Sequence, residues 1–225
     1  MRAMKHLRLI VNLLGVLSIF GFGGCSTDDS AKPQQRPEVF TADDHDRIYE
    51  EGCKFISPYM QLHGVDAKPA DTDKAREELS RGVFLMQKVV EFNSDNWAAF
   101  WVMGKGFQAL KQSENACDAF GQSFAIQKGN PDIAREYMLE CLNLGRASEA
   151  IDAAKHGVSL NPNDAGLIAN LAIAYLVGGR IDDSITTIEK SLKLAPDDEI
   201  SQNVKTIILE VRDGKRPQPK SARDL

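Results

Sequence analysis

The chain has 225 residues, 26% charged and 43% hydrophobic, with 27 Lys and Arg against 32 Asp and Glu for a formal net charge of -5. That composition suits one ordinary globular body rather than a disordered polymer. The acidic balance argues against a general nucleic-acid binder, which needs a basic face. Four cysteines in a chain this long are too few for a scaffold built from disulfides.

Residues 1–24 do not belong with the rest. They carry Arg2, Lys5 and Arg8 and no acid, and an apolar run extends from Leu9 to Phe22. A basic start followed by an apolar stretch of roughly 7–15 residues is the pattern of a secretory signal, and about 20 apolar residues would be needed for a membrane span. Gly23, Gly24 and Cys25 follow, then the polar Ser26-Thr27-Asp28-Asp29. This junction resembles a bacterial lipoprotein signal, although Phe22 stands where that family usually has Leu. The resemblance implies that 1–24 is removed and that Cys25 is lipidated, anchoring the chain to a membrane. Asp directly after the cysteine favours inner-membrane retention in that family. Ser26 stands there instead, which implies the outer membrane, facing the periplasm. The alternatives are an ordinary cleaved signal and an uncleaved inner-membrane anchor of an adaptor. Losing 1–24 removes three basic residues and no acid, so the charge moves from -5 to -8. Residues 25–40, with Pro33 and Pro37 and few apolar residues, read as a flexible tether of roughly 20 Å.

Residues 41–96 read as a degenerate helical unit: a first helix over 41–61, a loop at 63–71, and a second helix over 73–92. Within it, Asp43-Asp44-His45-Asp46 is the one cluster with cation-ligand chemistry. Sequence neighbours cannot all face one point on a helix, however, and Thr41 followed by acids reads as a helix N-cap.

From 97 the chain repeats. Blocks 97–130, 131–164 and 165–198 align without a gap, each 34 residues long. Place twenty holds Ala116, Ala150 and Ser184, all small; place eleven holds Phe107, Cys141 and Tyr175; place thirty-two holds Pro162 and Pro196 in the last two blocks. In the third block Leu167, Leu171, Ala174 and Tyr175, then Ile181, Ile185, Ile188 and Leu192, recur at helical spacing on either side of Gly178-Gly179. These blocks resemble the tetratricopeptide repeat, a helix–turn–helix unit with small residues at places eight and twenty. The middle block departs from it at Met138 and Cys141, and the first lacks the proline. The implied fold is an all-α helix–turn–helix solenoid. It has three clear repeats, the degenerate repeat before them, and a capping helix over 199–213 (Ile200, Val204, Ile207, Ile208, Val211). The polar stretch 214–225 is expected to be a disordered tail.

Little in the chain suggests catalysis. Gly104-Lys105-Gly106 lacks the spacing of a phosphate loop, and there is no HExxH, CxxC or GxSxG. No cofactor, metal, nucleic acid or small-molecule substrate is expected. An enzyme or enzyme subunit with an unrecognised site in 41–72 is the rival reading. Cys117 and Cys141 stand on neighbouring helices, as a bridged pair or as buried thiols acting as small hydrophobes.

In proteins with this repeat the first helices line a groove that holds a segment of a partner. The resemblance places there Trp101, Val102, Lys105 and Gln108, then Arg135, Glu136, Leu139 and Asn143, then Asn170, Ile173 and Val177. Of the clamp by which one version of the family holds C-terminal carboxylates, only Asn170 matches. The implied function is a membrane-tethered scaffold that binds another cell-envelope protein and assists assembly of an envelope complex, of the pilus or secretin kind or similar.

Overall fold

A computed structural model describes residues 38–62 and 66–225. The expected signal, Cys25, nearly all of the tether and His63 lie outside the described residues. One compact unit runs from Val39 to Leu225. Among the described residues there are nine α-helices: α1 (His45–Ile56), α2 (Asp73–Phe92), α3 (Trp97–Ala109), α4 (Ser113–Ile126), α5 (Pro131–Asn143), α6 (Ala147–Leu160), α7 (Ala165–Val177), α8 (Ile181–Leu194) and α9 (Glu199–Arg212). Each packs on the next, while α1 meets α3, α5 meets α7 and α7 meets α9. The odd-numbered helices therefore form one layer and the even-numbered helices the other. This is an all-α solenoid of the tetratricopeptide type, with α9 as its cap.

The 34-residue period has a backbone cause. Asn96, Asn130, Asp164 and Asp198 each stand just before an odd-numbered helix, 34 residues apart. The side-chain oxygen of each accepts a backbone N–H of the first turn: Ala99 at 3.0 Å, Asp132 at 2.9 Å, Leu167 at 3.0 Å and Ser201 at 3.0 Å. These caps satisfy donors that the helix itself cannot. Between the two helices of each repeat the chain reverses through a left-handed residue, again 34 apart: Lys111 (φ 60°), Gly145 (φ 73°) and Gly179 (φ 71°). Glycine takes that conformation freely, whereas lysine is strained in it. Lys111→Gly is therefore expected to raise stability by about 0.5–1 kcal/mol in urea unfolding. A loss of stability would contradict the strain argument.

Small residues bring paired helices close. A Cβ on Gly104 of α3 would lie 2.7–2.9 Å from three ring atoms of Phe120 on α4, and one on Gly82 of α2 would lie 2.6 Å from Ile56 Cγ1. Buried hydroxyls tie the layers as well: Ser123 donates to the Trp97 carbonyl at 2.9 Å, Ser184 to Ala172 at 2.7 Å and Ser191 to Ala165 at 2.8 Å. The core forms in series along the stack, with one cluster over α1–α4, one over α4–α7 and one over α7–α9, as expected where each repeat touches only its neighbours.

Two expectations need correction. The first helix was expected over 41–61, but α1 covers only His45–Ile56, with short 3-10 turns at Ala42–Asp44 and Ser57–Tyr59. Pro58 lacks the N–H that would continue the helix. The stretch 214–225 was expected to be disordered, but it is docked on the body. Pro219 is buried, Gln218 Nε2 donates to the Leu176 carbonyl, and Arg223 donates to Ser113 Oγ at 2.9 Å. The 3-10 turn Ala222–Asp224 lies against α5, and the Lys220 carbonyl sits 2.7 Å from where a Cβ on Gly145 would stand. The tail thus crosses the turns that follow α7, α5 and α3. Composition predicts little apolar burial for it, but one proline and contacts to backbone at the helix ends hold it.

Candidate partner-binding groove

The layer of α3, α5 and α7 carries the residues assigned to the groove, and the structure sorts them by depth. Arg135, Leu139, Asn143, Asn170 and Ile173 are partly exposed. Arg135 pairs with Asp132 one turn earlier and takes no part in the groove's interior network. Trp101 is half-buried against the N-terminal core. Val102 and Val177, 6% and 8% exposed, belong to the core clusters rather than to an open groove. Repeat position alone does not reveal this, because the α1–α2 pair closes over the first repeat and α9 and the tail close over the last.

Five of the assigned residues, Trp101, Lys105, Gln108, Glu136 and Asn143, come together with Glu140, which was not assigned. Lys105, only 3% exposed, extends its Nζ to Glu136 Oε1 at 2.5 Å and to the Gln61 carbonyl at 3.3 Å. Its ammonium also lies 5.6 Å from the Trp101 ring centroid and 5.8 Å from that of Phe120, within cation–π range. Gln108 Nε2 donates to Glu136 Oε2 at 3.1 Å and to Glu140 Oε1 at 2.8 Å, so one amide bridges two carboxylates. Asn143 Nδ2 approaches Glu140 Oε2 at 3.5 Å. Glu140 stands one turn after Glu136 on α5; that spacing was the signal available for it.

This network lines one side of a cavity of about 700 Å³ between α3, α5 and residues 59–61 and 66–70. Tyr59, Ala67, Ala70, Ala109 and Leu139 supply apolar wall, and Asp66 and Lys68 line it from the exposed loop. That loop is pinned in part by the Lys68 N–H donating to the Pro58 carbonyl at 2.8 Å. The long insertion of the degenerate repeat therefore helps build the cavity.

The other candidate clusters have structural partners. Asp44 Oδ2 accepts the Thr41 N–H at 2.9 Å and the Thr41 hydroxyl at 3.0 Å, and Arg47 reaches Oδ1 at 2.9 Å. These bonds, the Thr41 backbone first, hold the Asp44 carboxyl down to about 2. His45 Nδ1 lies 2.9 Å from Asp46, and its Nε2 lies 3.3 Å from the Asn96 amide. The acids beside His45 thus face different partners. Cys117 and Cys141 are free and buried, with sulfurs 3.4 Å apart. Their contact, aided by the Arg146 charge, pulls the Cys117 thiol down, and the same contact and burial push Cys141 up.

Comparison with known proteins agrees with this geometry. The tetratricopeptide repeat family model matches residues 142–208. No curated protein matches the chain in sequence. Among solved structures, one of MamA superposes with a TM-score of 0.60 at 15% identity, covering 76% of this chain and 84% of MamA. YrrB, described as a TPR protein with an unusual peptide-binding site, superposes with a TM-score of 0.55 at 17% identity, covering 79% and 88%. A further MamA structure, MSR-1 C2, gives 0.55 at 13% identity over 76% and 87%. At these identities the likeness is one of fold. Repeat register, capping pattern and helix pairing agree with it: the chain has the tetratricopeptide-repeat fold, and its residues 142–208 match the family model.

Proposed function

We propose that the protein is a membrane-tethered scaffold that holds a segment of another cell-envelope protein on the face formed by α3, α5 and α7, and so assists assembly of an envelope complex. The observation that carries this reading is the cavity between α3, α5 and residues 59–61 and 66–70. It is lined by side chains from two successive repeats and from the inserted loop, a place where an extended segment gains both shape and charge contacts. The unusual peptide-binding site named for YrrB is in keeping with such use of the fold. The tether is read from the Gly23-Gly24-Cys25 junction, with the lipidated protein facing the periplasm from the outer membrane.

Labelling growing cells with radioactive palmitate tests the anchor. The native chain is expected to take up label and to sediment with outer membranes, and Cys25→Ser is expected to lose both. Unlabelled native protein, or a Cys25→Ser variant that stays with the membrane, would remove the lipid from the account.

A further inference from the structure

We propose that the cavity between α3 and α5 is a receptor for one basic side chain, a lysine or arginine carried by an extended segment of the partner protein. This rests on the reading above that the face holds a protein segment, and it specifies the chemistry of that segment.

The charges around the cavity are unequally matched. Glu136 is paired with the buried Lys105, whose ammonium has no nearer carboxylate to serve. Glu140 is only 5% exposed, yet it has only amide donors, from Gln108 at 2.8 Å and Asn143 at 3.5 Å. Among the described residues no Lys, Arg or His nitrogen lies within 4.0 Å of its carboxylate. A carboxylate withdrawn from water is costly unless a cation and further hydrogen bonds replace the water. Neutral amides supply part of that, and an incoming ammonium or guanidinium would supply the rest. The remaining lining suits such a side chain. Tyr59, Ala67, Ala70, Ala109 and Leu139 offer apolar wall for its methylene stem, and Asp66 adds an acid on the loop. Lys68 also lines the loop side, but it is exposed to solvent. An acidic side chain would meet Glu136, Glu140 and Asp66 together, so the site selects by charge.

The docked tail gives an independent indication. Residues 214–225 carry Lys215, Arg216, Lys220 and Arg223 against Asp224, with prolines at 217 and 219. Their turn at Ala222–Asp224 lies on α5, the helix that supplies Glu136, Leu139 and Glu140. The body thus already receives an extended, basic, proline-bearing segment on α5, one of the two helices that line the cavity.

The test uses the full chain and short fluorescein-labelled peptide pools that differ at one fixed central residue: Lys, Arg, norleucine, Gln or Glu. Polarisation titrations are expected to show the Lys and Arg pools binding about tenfold tighter than the norleucine pool, which keeps the lysine stem without its charge. Glu140→Gln is expected to bring that ratio near one by weakening the Lys and Arg pools, with circular dichroism checking that the helices are retained. Ala67→Trp, a loop substitution that fills the cavity, should weaken the Lys and Arg pools to the level of the other pools and so also bring the ratio near one, without touching the buried network. A ratio that survives both variants overturns the proposal, as does a Glu pool that binds as well as the Lys pool. Displacement by free lysine amide as potent as the Lys peptides would make this a small-amine site and overturn the protein-segment assignment. If the partner crosslinked to this face in cells binds Glu140→Gln as well as native protein, the charge inference is lost and the scaffold stands. If no partner crosslinks there, both are lost.

Discussion

Gly104→Leu is expected to cost about 3 kcal/mol or more in urea unfolding, because the new side chain must enter space already filled by the Phe120 ring. Even a single Cβ there would stand 2.7–2.9 Å from Cε1, Cδ1 and Cζ of that ring, and Phe120 is fully buried. The usual gain from replacing a mid-helix glycine, about 1 kcal/mol, does not offset such a clash. The mechanism has a specific signature. Phe120→Ala alone should cost about 3–5 kcal/mol as a cavity variant. Combined with Gly104→Leu, the leucine would occupy part of that cavity, so the double variant is expected to fall short of the summed losses by at least about 1 kcal/mol. Strict additivity would mean that the two residues do not share the space the structure gives them.

Lys105→Met is expected to be nearly as damaging, at about 3 kcal/mol, because it leaves Glu136 beside Glu140 with one glutamine amide between them. Removing one partner of a buried pair costs more than removing both, since an isolated buried charge has lost its compensation. Lys105→Met with Glu136→Leu should therefore recover half or more of the loss. If the double variant is less stable than the single, the ion pair is not what Lys105 contributes. The contacts of its ammonium with the Trp101 and Phe120 rings would then be the larger part.

Much of the fold is legible in the sequence because its determinants are local and periodic. The small residues at places eight and twenty and the apolar steps of 167–175 and 181–192 are consequences of helices that must pack on their neighbours. The caps at Asp164 and Asp198 close the turn sequences NPND and APDD, and the same pattern runs back to Asn96 and Asn130. What periodicity cannot convey is which second object covers a helix face. Val102 and Val177 stand at groove places and yet are core, because a helix pair covers one end and the cap and tail the other. The tail itself was unreadable for a related reason. Its anchors are a buried proline, a side-chain amide on a helix-end carbonyl and an arginine on a serine, none of which leaves an apolar pattern. Glu140 was passed over because it stands at place ten, outside the places the family uses for its groove. It joins the site through the amides of Gln108 and Asn143.

Crosslinking in living cells shows whether the α3–α5–α7 face holds another protein. A photoreactive amino acid at Leu139, which lines the cavity, is compared with one at Lys190, exposed on the opposite layer in α8. A discrete crosslinked species is expected from position 139, identifiable by mass spectrometry, and none from position 190. No product from 139, or the same product from both positions, would contradict it.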